Sequence, residues 1–241
     1  MPEALLTLAG VNTHIEQYHI LQGVDFEAPR GGLTMLLGRN GAGKTTTLRT
    51  IMGLWKASAG TIHYNGKDIT RTATPELARL GIAYVPENMG IFAGLTVKEN
   101  MLLAAREKQF DDSRLDWIFG LFPAMKKFWN TLAGNLSGGQ KQMLAISRAI
   151  IEPRKLLLID EPTKGLAPSI ISNMIEAFKE LKRSETTIVV VEQNFHFARS
   201  LGDSVAVMDS GRIVHTGRMA DLACDEALQT KLLGLSLEAH Q

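Results

Sequence analysis

Gly38-Arg39-Asn40-Gly41-Ala42-Gly43-Lys44-Thr45 fits the pattern G-x-x-x-x-G-K-[ST] at every fixed position. Ahead of it, Leu33-Thr34-Met35-Leu36-Leu37 is a short apolar run that reads as a buried strand. Behind it, Thr46-Thr47-Leu48-Arg49-Thr50-Ile51-Met52 is helix-competent, with Leu48, Ile51 and Met52 on one face. Strand, glycine loop, helix is the context in which this pattern cradles a polyphosphate. The glycines let the backbone curl so that its N–H groups point inward. The helix N-terminus adds a partial positive charge at the same place. Lys44 is then placed to reach the β- and γ-phosphates, and the Thr45 hydroxyl to hold Mg²⁺. A glycine-rich turn beside a surface lysine would carry the pattern without the flanking strand and helix.

A second stretch supplies carboxylates. Leu156-Leu157-Leu158-Ile159 reads as a buried strand, and it ends in Asp160-Glu161. Asp160 is placed to orient Mg²⁺ and Glu161 to polarise an attacking water. Adjacent carboxylates repel, and a nearby divalent cation relieves that repulsion. A third stretch, Leu136-Ser137-Gly138-Gly139-Gln140, sets a hydroxyl and glycine N–H groups at the start of a helix, which suits another phosphate. One chain thus carries one phosphate loop and one spare anion cradle.

Composition bounds the remaining possibilities. The chain has 241 residues, of which 45% are hydrophobic, enough for a sizeable core. Lysine and arginine total 26 against 25 acidic residues, and no long run of one sign stands out. Composition therefore gives no nucleic-acid footprint. The single cysteine, Cys224, cannot form an internal disulfide, fits a reducing cytoplasm and is expected to be a small buried or semi-buried residue. No stretch approaches the ~20 apolar residues that span a bilayer. Met1-Pro2-Glu3 lacks the positive region of a signal peptide. Any membrane role is expected to come through a partner.

In chain order, residues 4–9 read as a strand ending near Gly10, and residues 20–26 as another, with Tyr18 in the loop between them. Gly31-Gly32 turns into the phosphate-loop strand. Residues 61–64 lead into an Asn65-Gly66 turn, residues 75–80 form a short helix, and residues 82–85 form a strand followed by Pro86 and Glu87. Residues 88–153 show helical patterning and no convincing strand, and are read as an inserted helical subdomain. Within it, Thr96 and Glu99 make a capping box, helices cover 112–121 and 123–129, and Ser137 caps a helix running through residue 151. Further on come a helix over 170–181, a strand over 186–191 leading to Glu192-Gln193, a hairpin turning at Ser210-Gly211, and a short helical tail from 219. His14 and His19 read as surface histidines.

The order GRNGAGKT, LSGGQ, LLLIDE resembles the ATP-binding subunit of an ABC transporter across nearly the whole chain. Tyr84 with Val85-Pro86-Glu87, Gly165-Leu166-Ala167-Pro168 and Val191-Glu192-Gln193-Asn194 narrow the likeness to the ATPases of branched-chain amino acid importers, with urea or short-amide systems close by. The resemblance implies an α/β fold: a P-loop nucleotide hydrolase core with an N-terminal antiparallel β subdomain and an inserted α-helical subdomain, all one ATPase domain over 1–241. It implies that Gly38, Arg39, Asn40, Gly41, Ala42, Gly43, Lys44, Thr45 and Thr46 bind ATP. Thr45, Glu87 and Asp160 serve Mg²⁺, and Glu161, Lys44 and Gln193 serve catalysis. It implies a head-to-tail dimer with a homologous ATPase, identical or a sibling, in which Ser137, Gly138, Gly139 and Gln140 close on the partner's ATP. Further implied partners are transmembrane permeases and, indirectly, a solute-binding protein, with no nucleic acid. The implied location is the cytoplasmic face of the cell membrane.

This sequence departs from the family pattern at four places. Glu87 stands where glutamine is usual, Gln193 where a γ-phosphate-sensing histidine is usual, and Ala167 where many members have aspartate. The adenine-stacking aromatic usually lies nearer Ile15 than Tyr18, so either Tyr18 reaches back or adenine packs without a ring. His196, three residues beyond Gln193, is a candidate displaced sensor. Two other classes compete. A soluble ABC-type ATPase acting on nucleic acid or ribosomes would usually carry paired cassettes or long coiled coils. A GTPase would need a guanine-reading motif, which Asn65-Gly66-Lys67-Asp68 mimics only in the wrong order.

Overall fold

A computed structural model describes residues 3–106 and 108–234. From the N-terminus the chain forms β1 (Ala4–Ile15), β2 (Tyr18–Pro29), β3 (Leu33–Leu37), α1 (Lys44–Ile51), β4 (Ala57–Tyr64), β5 (Lys67–Asp68), α2 (Thr74–Arg79) and β6 (Ile82–Val85). Helices α3 (Val97–Ala104), α4 (Asp112–Leu121), α5 (Pro123–Lys127) and α6 (Gly138–Ile150) follow. The last third alternates: β7 (Leu156–Asp160), α7 (Pro168–Lys182), β8 (Thr187–Glu192), α8 (Phe195–Leu201), β9 (Ser204–Asp209), β10 (Arg212–Arg218), α9 (Met219–Cys224) and α10 (Glu226–Leu233). The tail beyond Gly234, read from sequence as helical, lies outside the described residues.

Two sheets result, as the fold class expected. One is antiparallel, in the order β2-β1-β4-β5. The other runs β10-β9-β3-β8-β7-β6, parallel throughout except for the edge hairpin β9–β10. Its inner strands are apolar at consecutive positions because both faces are covered. Leu33, Met35, Leu37, Leu157, Ile159, Ile188 and Val190 join a core built with α3 to α8. Leu36, Leu156, Leu158, Val189 and Val191 join a second core with α1 and the antiparallel sheet. The two-residue period of a strand thus divides each run between two layers.

Local chemistry explains several boundaries. Thr96 and Glu99 form the expected capping box at α3, and Ser137 with Gln140 forms another at α6. Gly10 does not end β1. It sits at φ 58° where the register with β2 and β4 slips, and Asp25 Oδ1 accepts its N–H at 2.7 Å. The residue is a bulge, and the strand resumes beyond it to Ile15. Tyr18 is likewise not in a loop: it opens β2, directly opposite Ile15. Cys224 is exposed at the end of α9, contrary to expectation.

Phe178 of α7 is fully buried and meets Phe197 of α8 edge-on, ring centroids 5.4 Å apart. Phe178→Ala is expected to cost about 3–5 kcal/mol, because a cavity joins the lost transfer energy. A urea titration reads this as a lower midpoint at unchanged slope. An unchanged midpoint would mean that α7 and α8 close over the gap.

Candidate functional site

The glycine loop leaves the carboxyl end of β3, between β8 and β9, where parallel sheets bind ligands. Its shape is set by backbone packing. Gly38 has φ 151°, and a Cβ there would lie 2.2 Å from the Met208 carbonyl oxygen on β9. Gly211, in the β9–β10 turn, donates its N–H to Ala42 O at 2.9 Å and accepts from Gln22 N at 2.9 Å. A Cβ on Gly211 would sit 2.2 Å from Ile20 O. The loop is therefore tied to both sheets from outside. Helix α1 then starts at Lys44 with no side chain capping its first N–H groups, which leaves them to an anion.

The side chains converge on that helix start. Lys44, 4% exposed, donates from Nζ to Gly38 O (2.8 Å) and Arg39 O (3.0 Å) and lies 3.6 Å from Glu161 Oε1. Burial lowers its pKa, against the pull of Glu161. Thr45 Oγ1 donates to Asp160 Oδ1 at 3.0 Å, and the Tyr84 hydroxyl donates to Asp160 Oδ2 at 3.2 Å. Burial pushes the Asp160 carboxyl up, and the bonds from Thr45 and Tyr84 oppose it. Burial, then Asp160, pushes Tyr84 up to about 12, which keeps it a donor.

Glu161 is the first residue beyond β7. It holds φ 48°, uncommon for a residue with a side chain, and donates its N–H to Val191 O at 2.9 Å. Gln193 Nε2 donates to Glu161 Oε1 and to Asn40 Oδ1, each at 2.7 Å. The amide at this position therefore bridges the glycine loop and the acidic strand end. Its neighbour Glu192, 2% exposed, accepts from Thr163 N and Oγ1 and from the N–H groups of Gln193 and Asn194. That staple fixes the loop after β8 to the loop after β7. Burial raises Glu192's pKa, against those four bonds.

Asn40, Gly41, Gly43, Lys44, Thr45 and Thr46 line an open depression of about 300 Å³ with Glu87, Glu161 and Lys164. Glu87 does not stand alone there, because Lys164 Nζ contacts its Oε1 at 2.5 Å. Ser137 and Gln140 close a capping box on each other, and Gly139 is pressed on Ile170, where a Cβ would meet Cγ2 at 2.8 Å. None of these cradle residues lines the Lys44 depression. Gln193, not His196, meets Glu161, and His196 is exposed on α8. Ala167 is the N-cap of α7 without a side-chain bond. Tyr18 is 61% exposed. His14 and His19, cross-strand partners, stack at 4.2 Å and bond Ser58 and Asn12.

Sequence reasoning missed Lys164, Glu192, Gly211 and the role of Tyr84, since each acts through a contact distant along the chain. The donor set fits a polyphosphate: open N–H groups, a buried ammonium and a cradle shaped by glycine. Thr45 and Asp160 offer adjacent oxygens, which suit a hard cation that shares its remaining ligands with phosphate. Among the described residues no cluster of three or more His, Cys, Asp or Glu could hold a metal unaided.

Comparison with known proteins bears on this geometry. The ABC transporter family profile matches residues 21–164. The chain is 38% identical to the high-affinity branched-chain amino acid transport ATP-binding protein BraG of Pseudomonas aeruginosa, over 95% of this chain and 100% of that one. It is 33% identical to a probable branched-chain amino acid transport ATP-binding protein, LivF, of Archaeoglobus fulgidus, over 96% and 99%. A solved ATP-binding subunit of an ABC transporter superposes with TM-score 0.78 at 29% identity, over 97% and 96%.

Asp160 binds its proton more tightly folded than unfolded, because burial penalises the carboxylate. Folding stability from this group therefore falls as pH rises from the ordinary carboxylate range through Asp160's raised one. Asp160→Asn keeps a partner for Thr45 and Tyr84, whose hydroxyls can reverse, and removes the charge. Without nucleotide or Mg²⁺, this variant is expected to melt a few degrees above the parent chain at neutral pH and level with it near about pH 4. A lower melting temperature at neutral pH would show that the carboxylate stabilises the empty site.

Proposed function

The chain belongs to the ABC transporter family of ATP-binding proteins, and on that premise we propose that it is the ATP-hydrolysing motor of a membrane importer for small solutes, branched-chain amino acids foremost. One observation carries the catalytic assignment. Gln193 Nε2 joins Asn40 of the glycine loop to Glu161, 3.6 Å from Lys44, so the nucleotide loop and the acidic strand end form a single cluster. The cargo rests on the relatives named for branched-chain amino acid transport.

In this reading Gly38 to Thr46 hold the triphosphate, and Lys44 exchanges its bonds to Gly38 and Arg39 carbonyls for phosphate oxygens. Mg²⁺, held by Thr45 and Asp160 with Glu87 nearby, would neutralise charge on the polyphosphate. Glu161 accepts the proton of the attacking water, and the Gln193 amide holds one of its oxygens in place. Gln193 donates a hydrogen bond but neither takes up nor releases a proton, so it orients and does not relay. Ser137, Gly138, Gly139 and Gln140 serve the nucleotide of a second, homologous subunit, identical or a sibling, packed head to tail.

The chain acts as one ATPase unit over 1–241, with residues 88–153 as its helical arm. Permease subunits dock beside that arm, near Met89. Supporting this, a groove of about 620 Å³ there carries Arg49, Trp55, Met89 and Arg148, and Leu54 and Phe92 are exposed. A solute-binding protein would act only through the permeases. No described helix is long and apolar enough to cross a membrane. In this reading the permease subunits hold the chain at the cytoplasmic face. A near-zero net charge offers nucleic acid no footprint.

Affinity purification from native membranes tests the transport assignment. Two hydrophobic permeases, with or without a sibling ATPase, are expected, and recovery with ribosomes or nucleic acid instead would overturn it. For the chemistry, Glu161→Gln is expected to bind ATP as the parent does and to lose at least about 100-fold in turnover. Undiminished steady-state hydrolysis would remove Glu161 from the role.

A further inference from the structure

Three charges from two strand exits meet at the mouth of the depression. Glu87 follows β6, Glu161 follows β7, and Lys164 lies three residues beyond Glu161. Lys164 Nζ donates to Glu87 Oε1 at 2.5 Å and lies 3.7 Å from Glu161 Oε2. Glu161 is 8% exposed, while Lys164 is 57% and Glu87 38% exposed, so the Lys164–Glu87 pair lies on the solvent side of Glu161. The hydrogen bond to Glu87 raises the Lys164 pKa, so the ammonium persists.

The acidic charge here is unusually dense. Burial first, and the charges of Glu161 and Glu87 after it, push the Asp160 carboxyl up. A polyphosphate brought to Lys44 adds more negative charge, which like-charge repulsion opposes. Lys44 offsets this from the interior, but its Nζ is held by Gly38, Arg39 and one oxygen of Glu161. Lys164 pairs with Glu87, and it takes the other oxygen of Glu161.

We propose that Lys164 is a positioning residue for nucleotide binding, its ammonium neutralising the Glu87–Glu161 pair so that a chain with a carboxylate at position 87 still admits a polyphosphate. The assignment rests on the reading of the Lys44 loop as the nucleotide site. It makes the two positions interdependent: lysine at 164 matters because residue 87 is acidic. A lysine that instead gripped phosphate directly would matter whatever stood at 87.

Calorimetric titration of the full chain with ATP in excess EDTA separates these cases without turnover. Lys164→Ala is expected to weaken ATP binding roughly threefold to fivefold at low salt, the size of one exposed charge, with the loss shrinking as salt screens it. Lys164→Arg, which can bridge both carboxylates, restores the affinity. In a Glu87→Gln background, Lys164→Ala has a smaller effect, because Glu161 alone is left for the ammonium to neutralise, which gives a non-zero coupling in the double-mutant cycle. Equal losses in both backgrounds, or no loss in either, overturn the proposal, and matching melting temperatures show that the variants are folded. If neither the parent nor Glu87→Gln binds ATP, the reading of the Lys44 loop falls first, and this assignment with it.

Discussion

Backbone pressed on backbone holds this site together. The loop from β3 to α1 can curl only because Gly38 lies flat on the Met208 carbonyl and Gly211 lies flat on the Ile20 carbonyl. A methyl group at either position would push the loop off the sheet that supports it. Two further backbone bonds, from Gly211 to Ala42 and from Gln22 to Gly211, fix the loop relative to both sheets. Ordering a glycine-rich segment is entropically costly. Here that cost is met by packing outside the site, so the inward N–H groups stay open. Lys44, Thr45 and the α1 N-terminus inherit their positions from this arrangement.

Sheet order does the rest. Because β3 lies beside β8, and β8 beside β7, the loops leaving their carboxyl ends emerge side by side. Asn40, Gln193 and Glu161 come from those three loops, and the Gln193 amide closes them into one hydrogen-bonded unit. Behind them, the buried Glu192 carboxylate binds Thr163, Gln193 and Asn194. Burial disfavours the charged forms of Lys44 and Asp160 alike. A site that keeps buried charges of both signs close together gives up stability that a nucleotide and its cation would restore.

The parts of this arrangement legible in the sequence are those whose signal is local. The glycine loop, the apolar run into Asp160-Glu161, and the caps at Thr96 and Ser137 each declare themselves within about ten residues, the span over which strand and helix periodicity is read. Gly10 misled because a glycine in an alternating run looks like an end, whereas Asp25, fifteen residues on, supplies the partner that turns it into a bulge. Cys224 misled because composition places cysteine inside, while a six-residue helix buries only Met219 and Leu222. Lys164 and Glu87 are 77 residues apart, and Gln193 and Asn40 are 153 apart. Only the strand order brings such pairs together, and no local pattern encodes it.

The spare cradle follows the same logic from the other side. Ser137 and Gln140 satisfy each other, and Gly139 is pinned against Ile170 at the start of α7, so the N-terminus of α6 is rigid. Ser137 and Gly138 are nonetheless exposed, and they take no part in the depression around Lys44. An exposed, glycine-opened helix start presents the positive end of its dipole to whatever anion meets it. In the proposed head-to-tail dimer that anion is the triphosphate held by the other subunit. The same closure would bring a second chain against the open mouth where Lys164 lies. Neutralising Glu87 there lowers the repulsion that a closing, anion-bearing interface would otherwise meet, so the exposed lysine and the exposed cradle answer one electrostatic problem from opposite sides.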